Sequence, residues 1–363
     1  MPTALLISNR HPAEPGGRPE KLATRLRLMR EHGWDFEILH VGQPYSRSFF
    51  PGLIRGINKG RSDDIDLIIS MNNPFHLHLI GAVVKSTVRK PWIAELRDPI
   101  VIHPDRDYGG ATYRLASVVE WVVVRFANRL VWLDGIQMEG KYFEQKYPRF
   151  PAEKFTKLPF MGYERRRFEN IPADEREPFT ITYAGSFYED WIEPYDLLRG
   201  VSQYIDSVDG DDVPIRIEFF GDWNEDYETF VEQLGIQKYV VTHGFVDHEE
   251  VIQALKGSDL GVYIGGDDPR NQLNVPSKIW DYVGSEVPIL AIVDPDFRVA
   301  SFLRDHELGL VVEPTNPAGV RDAVEAVWSR EYEYAPDPEV YSKFSRKEHL
   351  RECAAVMNAV TAE

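Results

Sequence analysis

One stretch of this 363-residue chain gathers the groups that hold an anionic ligand. It reads Gly265-Gly266-Asp267-Asp268-Pro269-Arg270-Asn271-Gln272-Leu273-Asn274-Val275-Pro276-Ser277-Lys278-Ile279-Trp280-Asp281-Tyr282. This pattern predicts the end of a strand, a polar loop and the start of a helix. Pro276 suits a first helical turn. Ser277 and Lys278 follow, where unpaired N–H groups, the positive end of the helix dipole and a lysine together make a diphosphate site. Asp281 lies one turn on. It can accept hydrogen bonds from ribose hydroxyls, or form a solvated i,i+3 pair with Lys278.

Other residues fit the same chemistry. Gly185-Ser186 follows an apolar run and can bring backbone N–H groups to a phosphate. Phe220-Gly221 and Gly244-Phe245-Val246 end two further runs and can wall a pocket for a base. Early in the chain, Ser8-Asn9-Arg10 leads through Pro15-Gly16-Gly17-Arg18 into a helix, a backbone-exposing loop or an ordinary turn. It is not G-x-G-x-x-G, so a dinucleotide cofactor has little support. The run Trp92–Leu96 ends in Arg97-Asp98-Pro99. There Asp98 can touch a sugar hydroxyl or accept a proton, or cap a turn before the proline. His76 and His78, two apart, point to different faces of a helix and do not share a metal.

The elements that must position these residues alternate. Strands are predicted at Ala4–Ser8, Phe36–Val41, Asp66–Ser70, Trp92–Leu96 and Leu130–Leu133, then at Thr180–Ala184, Ile215–Phe220, Tyr239–Thr242, Leu260–Ile264, Ile289–Val293 and Leu310–Val312. Their near-continuous apolar character suits strands buried on both faces. Helical stretches lie between them, at Pro19–His32, Tyr195–Asp206, Tyr227–Leu234, His248–Leu255, Ser277–Val283 and Pro317–Trp328, with a last helix from Ser345 to Val360. The βαβ alternation occurs twice, so the fold class is α/β with two Rossmann-like, doubly wound parallel-sheet domains. Polar segments around Pro172 and Pro336 set the expected boundaries: 1–172, 173–335 and a final helix in 336–363. Val118 to Val124, with Glu120 inside it, reads as a buried helix rather than a membrane span.

Composition narrows the function. The chain is 43% hydrophobic and 27% charged and has one cysteine, which excludes a disulfide scaffold and a disordered chain. The net charge of -17 is uneven: residues 1–175 hold 26 Lys and Arg against 21 Asp and Glu, and residues 176–363 hold 15 against 37. The acidic half would repel nucleic acid. The basic half can rest on an anionic surface. Arg18, Lys21 and Arg25 are spaced to share one side of a helix, with Arg27, Arg30 and Arg165 to Arg167 nearby; a solvated charged face is the alternative. Lysine is scarce, 13 against 28 Arg, which fits a high-salt cytoplasm or an ordinary acidic protein. No charged leader with a cleavage site opens the sequence, so a cytoplasmic location is expected, with peripheral contact at the membrane face.

Over nearly its whole length the chain resembles the GT-B glycosyltransferases, and specifically the family 4-like group that uses nucleotide sugars. The resemblance rests on the Gly16-Gly17 loop, Ala94-Glu95-Leu96-Arg97-Asp98-Pro99, Tyr183-Ala184-Gly185-Ser186, Gly244-Phe245-Val246 followed by Glu249-Glu250, and Val275 to Pro288, where a Ser-Lys pair opens the donor-site helix. It implies two domains facing a cleft, the first for the acceptor and the second for the donor, with the last helix crossing back to the first. It implies Gly185, Ser186, Ser277 and Lys278 on the diphosphate, Asp281 on the ribose, Gly16, Gly17 and Arg18 toward the acceptor, and Asp98 and Lys278 in catalysis. Such enzymes generally retain anomeric configuration and need no bound metal; no cofactor is expected beyond the nucleotide-sugar co-substrate. The acceptor would be a glycan, a glycolipid or a polyprenyl-linked sugar. Two departures stand out. Of the two glutamates many relatives carry, the second falls on Asp281 and the first on Leu273, leaving Asn271 or Asn274 to meet the donor sugar. The loop Gly185 to Trp191 lacks the Arg and Lys of many relatives, so charge neutralisation falls on Lys278. A catalytically inactive partner subunit and a nucleotide-sugar epimerase are the alternative readings.

Overall fold

The structure is a computed structural model, and it describes all residues except 15–16, 73, 103–108, 134–141, 159–161, 163, 175–176, 190 and 209–212. It divides into two compact units, Met1–Met161 with Arg346–Glu363, and Gly162–Ser345. The sequence places these divisions at 172/173 and 335/336.

Each unit is built on a six-stranded parallel sheet. The first contains β1 (Thr3–Ser8), β2 (Asp35–His40), β3 (Leu67–Met71), β4 (Trp92–Leu96), β5 (Arg129–Leu133) and β6 (Phe155–Leu158), in the order β2-β1-β3-β4-β5-β6. The second contains β7 (Phe179–Ala184), β8 (Ile215–Phe220), β9 (Val240–Gly244), β10 (Leu260–Gly266), β11 (Ile289–Val293) and β12 (Gly309–Val312), in the order β12-β11-β10-β7-β8-β9. All the pairings are parallel, so a crossover must link the strands. Central strands β3, β4, β10 and β11 are buried along their whole length, as expected for strands covered on both faces, whereas edge strands β2 and β9 are half-open. The eleven strands expected from the sequence are present. The twelfth, β6, pairs with β5 and was not anticipated.

The last helix, Arg346–Ala362, completes the first unit's core. Leu350, Cys353, Ala354, Met357 and Val360 are buried in that cluster, and Trp34 Nε1 donates to Asn358 Oδ1 at 2.9 Å. The short helix Arg165–Asn170 belongs to the second unit, because Lys256 Nζ donates to the carbonyls of Phe168 (2.8 Å) and Ile171 (2.5 Å). This removes Arg165 to Arg167 from the first unit's basic face.

One expectation is corrected. The segment Val118 to Val124 lies within a helix, Gly110–Phe126, but is not buried all round. Val119, Val123 and Val124 face the core, while Val118 and Trp121 are about half exposed. Seventeen apolar-rich residues on the outside of a sheet can turn only one stripe inward.

Because the last helix supplies core side chains, Leu350→Ala should cost about 2–4 kcal/mol in a urea unfolding titration of the first unit. A loss well under 1 kcal/mol would show that the helix does not form part of that core.

Candidate functional site

Ligands of open α/β sheets sit beyond the carboxyl ends of the strands, where the strand order reverses. In the second sheet that point is β7, flanked by β8 on one side and β10 on the other. A cavity of about 220 Å³ opens there, lined by Ala184, Gly185, Ser186, Phe220, Gly221, Gly244, Phe245, Val246, His248, Val251, Lys278 and Asp281. Two larger cavities on this unit lie elsewhere. One, of about 680 Å³, is at the amino ends of β7 and β8, and one of about 400 Å³ is beside Arg165–Asn170. Neither meets a strand's carboxyl end.

Glycine is required where the three strand ends converge. Gly185 and Gly221 have φ of +142° and +136°. Gly185 N–H donates to Phe220 O at 2.9 Å, and Gly221 N–H to Gly244 O at 2.8 Å. A Cβ on Gly221 would collide with the Gly185 carbonyl, and one on Gly185 with the Lys278 ammonium. Backbone therefore lies directly against the cavity, and any side chain there would fill it.

Lys278 provides the charge. It caps the helix Ile279–Ser285, two residues later than the sequence predicts. Its Nζ lies 4.9 Å from the centroid of the Tyr183 ring and donates to the Tyr183 hydroxyl at 3.4 Å. Burial lowers its pKa to about 8, against the opposing pull of Asp222 and Asp281. The helix itself is pinned by Tyr282, whose hydroxyl donates to Val262 O at 2.5 Å and accepts from Ala184 N–H at 3.3 Å. One buried phenol thus ties the helix carrying Lys278 and Asp281 to both β7 and β10.

The remaining predicted residues fall into three groups. Phe220, Gly221, Gly244, Phe245 and Val246 line the cavity with Gly185, Ser186, Lys278 and Asp281. Phe220 is buried and stacks on His243 at 4.2 Å, whereas the Phe245 ring is 79% exposed at the cavity's edge. Ser277 is exposed and is not part of the lining. Asn271 is buried and donates from Nδ2 to Gly265 O at 2.8 Å, and Asn274 bonds back to Asn271 O through its N–H; neither lines the cavity. Their loop is held by itself: Asp268 accepts from Arg270 at 2.9 and 2.7 Å, and Arg270 sits over Trp191 at 4.5 Å. Asp281 is paired with His248 at 3.1 Å, not with Lys278. His248 lies 33 positions away in sequence, and nothing in the local pattern marks it. Among the described residues no group of three or more His, Cys, Asp or Glu is placed to hold a metal ion.

In the first unit, Gly16 and the Arg18 side chain lie outside the described residues; Gly17 opens the helix Gly17–Glu31. Asp98 is half-buried after β4. Its turn is shaped by Asn72, which donates to Asp98 O at 2.7 Å and accepts from Arg97 N–H at 2.6 Å. Arg25 is not available to an outside anion. It forms a bidentate pair with buried Glu95, both contacts at 2.6 Å, and Arg97 reaches the same carboxylate at 3.5 Å. Burial pushes Glu95 up, but the two guanidinium groups hold it down at about 2. Arg25 and Glu95 are 70 positions apart, so spacing along one helix could not show the pair.

No family model matches the sequence, and no curated protein matches it. Solved structures do. HepE of Anabaena, in complex with UDP, is 15% identical over 99% of this chain and 100% of its own, with a TM-score of 0.65. A glycosyltransferase from Rickettsia africae is 11% identical over 99% and 98%, with a TM-score of 0.67. A sucrose-phosphate synthase from Thermosynechococcus elongatus is 14% identical over 100% and 97%, with a TM-score of 0.57. The chain has the GT-B fold of these proteins.

A buried ammonium opposes folding until a ligand anion meets it. Its cost is complete below pH 8 and fades as pH rises toward 10.5, the value of a free lysine. At ~1.4 kcal/mol per pKa unit, the drop from 10.5 to about 8 corresponds to at most roughly 3.5 kcal/mol. Lys278→Met should therefore melt at or above the wild-type temperature near pH 7 while losing affinity for inorganic diphosphate by about 100-fold. A variant that melts lower and binds diphosphate as before would remove Lys278 from the site.

Proposed function

We propose that the chain is a glycosyltransferase that takes a uridine diphosphate sugar in its second unit. The single observation that carries this reading is Lys278: a half-buried cation set against glycine backbone, at the strand ends where such sheets bind ligands. An ammonium in a low-dielectric site interacts with a diphosphate far more strongly than one in bulk water. It is placed to neutralise the charge that grows on the leaving diphosphate as the sugar bond breaks. No bound metal is then required for that step.

The other residues take roles by their chemistry. Gly185 and Ser186 offer backbone amides to the phosphates. Asp281, oriented by His248, accepts from the ribose hydroxyls. Phe245 supplies an exposed aromatic face for the base, between walls formed by Phe220, Gly221, Gly244 and Val246. Ser277 precedes the same helix. The sugar is transferred to a glycan or lipid-linked acceptor held by the first unit, with Asp98 contacting the acceptor or taking its proton, and Gly16, Gly17 and Arg18 beside it. Retention of configuration, the family 4-like assignment, cytoplasmic placement with peripheral membrane contact and adaptation to high salt belong to the same proposal. UDP bound to the Anabaena protein of the same fold supports the choice of base. Among the described residues no helix is long and apolar enough to cross a membrane.

A second reading rests on one observation: among the described residues, Lys278 is the only Lys or Arg lining the cavity. A subunit that binds the donor without turning it over would need no more. A donor epimerase would release altered nucleotide sugar with no acceptor present.

Thermal shift with UDP-, GDP- and ADP-sugars, in low and molar salt, tests the donor. We expect the UDP series alone to stabilise the chain, by roughly 2.7 kcal/mol at 100 times Kd, and Phe245→Ala and Asp281→Ala to weaken that binding about tenfold each. Folded protein that ignores every nucleotide would overturn the reading. Labelled sugar that reaches neither acceptor nor water would favour the non-catalytic subunit.

A further inference from the structure

The helix Gly110–Phe126 turns the wrong face outward for a protein surrounded by water. Ala116, Val119, Val123 and Val124 already anchor it in the core. Yet Tyr113, Leu115, Val118, Trp121 and Phe126 are 41–55% exposed. Leu115, Val118 and Trp121 follow one another by a turn along the outer face, and Trp121 packs edge-on against Phe126 at 6.0 Å. An apolar row of this length on an outer helix marks an interaction surface.

Its charges are of one sign. The only carboxylate on the helix, Glu120, is fully buried and satisfied by Lys146 at 2.5 Å and by the hydroxyls of Tyr142 and Tyr147. Arg114 and Arg125 are exposed on the outer face. At the helix's carboxyl end, Lys85 Nζ donates to Phe126 O at 2.5 Å and Lys154 Nζ to Arg125 O at 3.3 Å. This brings Lys85, Arg125 and Lys154 together, and among the described residues no ion pair engages any of them. Burial first, and then repulsion by Lys85 and Arg125, lowers Lys154 to about 8.

We propose that this face docks on an anionic lipid surface, with Leu115, Val118 and Trp121 entering the headgroup boundary and Arg114, Arg125, Lys85 and Lys154 meeting lipid phosphates. Aromatic and aliphatic side chains flanked by arginine and lysine suit that boundary, where long cations reach the headgroups while their stems lie on apolar surface. Charge decides against a second copy of this chain. A twofold contact sets the helix against itself, and its exposed charges, Arg114 and Arg125, are both cations. The inference deepens the proposal of a lipid-linked acceptor, but its test involves no nucleotide, so the two can fail separately.

The test is co-sedimentation of the full chain with phosphatidylcholine vesicles, with and without roughly 30 mol% phosphatidylglycerol, at the lowest salt in which the chain is folded. Two variants accompany it, Val118→Asp with Trp121→Glu and Arg114→Glu with Arg125→Glu. All four positions are exposed, and melting temperature checks each fold. We expect pelleting with the anionic vesicles, weaker pelleting with neutral ones, and at least tenfold weaker binding by both variants. Wild-type protein that stays in the supernatant would overturn the proposal, as would variants that pellet like wild type. A wild-type dimer in sedimentation velocity that Val118→Asp with Trp121→Glu dissolves, without any vesicle binding, would assign the face to a second copy instead.

Discussion

The second unit is organised around one unfavourable act, the partial removal of an ammonium group from water. Lys278 sits over a tyrosine ring and against the backbone of Gly185, with Asp222 and Asp281 as the charges that oppose its deprotonation. Neither carboxylate is a close ion-pair partner of the lysine; Asp281 pairs with His248, and Asp222 accepts from the Phe187 N–H at 3.1 Å. Structural lysines seldom stay so incompletely compensated. The surrounding features follow from this requirement. Two glycines at positive φ let three strand ends approach, and a buried tyrosine fixes the short helix that presents the lysine. Sites poised for an anion carry such a cost as part of their function.

The first unit shows the opposite solution. Glu95 and Arg25 are also buried, but each fully meets the other, and the pair ties β4 to the helix Gly17–Glu31. Satisfied charge of this kind organises structure and leaves nothing to offer a ligand. The first unit also turns unsatisfied groups outward, in the apolar row of Gly110–Phe126 and the cations around it.

Much of this was legible in the sequence, and the reasons are physical. Strands buried on both faces write themselves as apolar runs, so eleven of the twelve strands among the described residues were readable. Phe155–Leu158 was not, because four residues that include Lys157 carry no such run. The residues around the cavity were also legible where backbone forms the lining: Gly185, Gly221 and Gly244 stand at strand ends, and Lys278 just before a helix. Side-chain pairing across long separations was not. Asp281 with His248, and Arg25 with Glu95, depend on which elements the fold brings together. Asn271 shows the converse, a polar residue in the right loop whose amide is needed to hold that loop. The helix Gly110–Phe126 misled because apolar content reports how much can be buried, not how much is.

The account is tested most directly by counting protons. A diphosphate beside Lys278 should return its pKa toward that of a free lysine. Between pH 8 and 10.5 the free site is partly neutral, so binding must draw a proton from solvent. Calorimetry of UDP binding at about pH 8.5, in buffers of different ionisation enthalpy, reads that number. The account predicts net uptake of a fraction of one proton, on the order of half or more, absent in Lys278→Met. UDP that binds with no proton uptake, or with the same uptake in the variant, would contradict it.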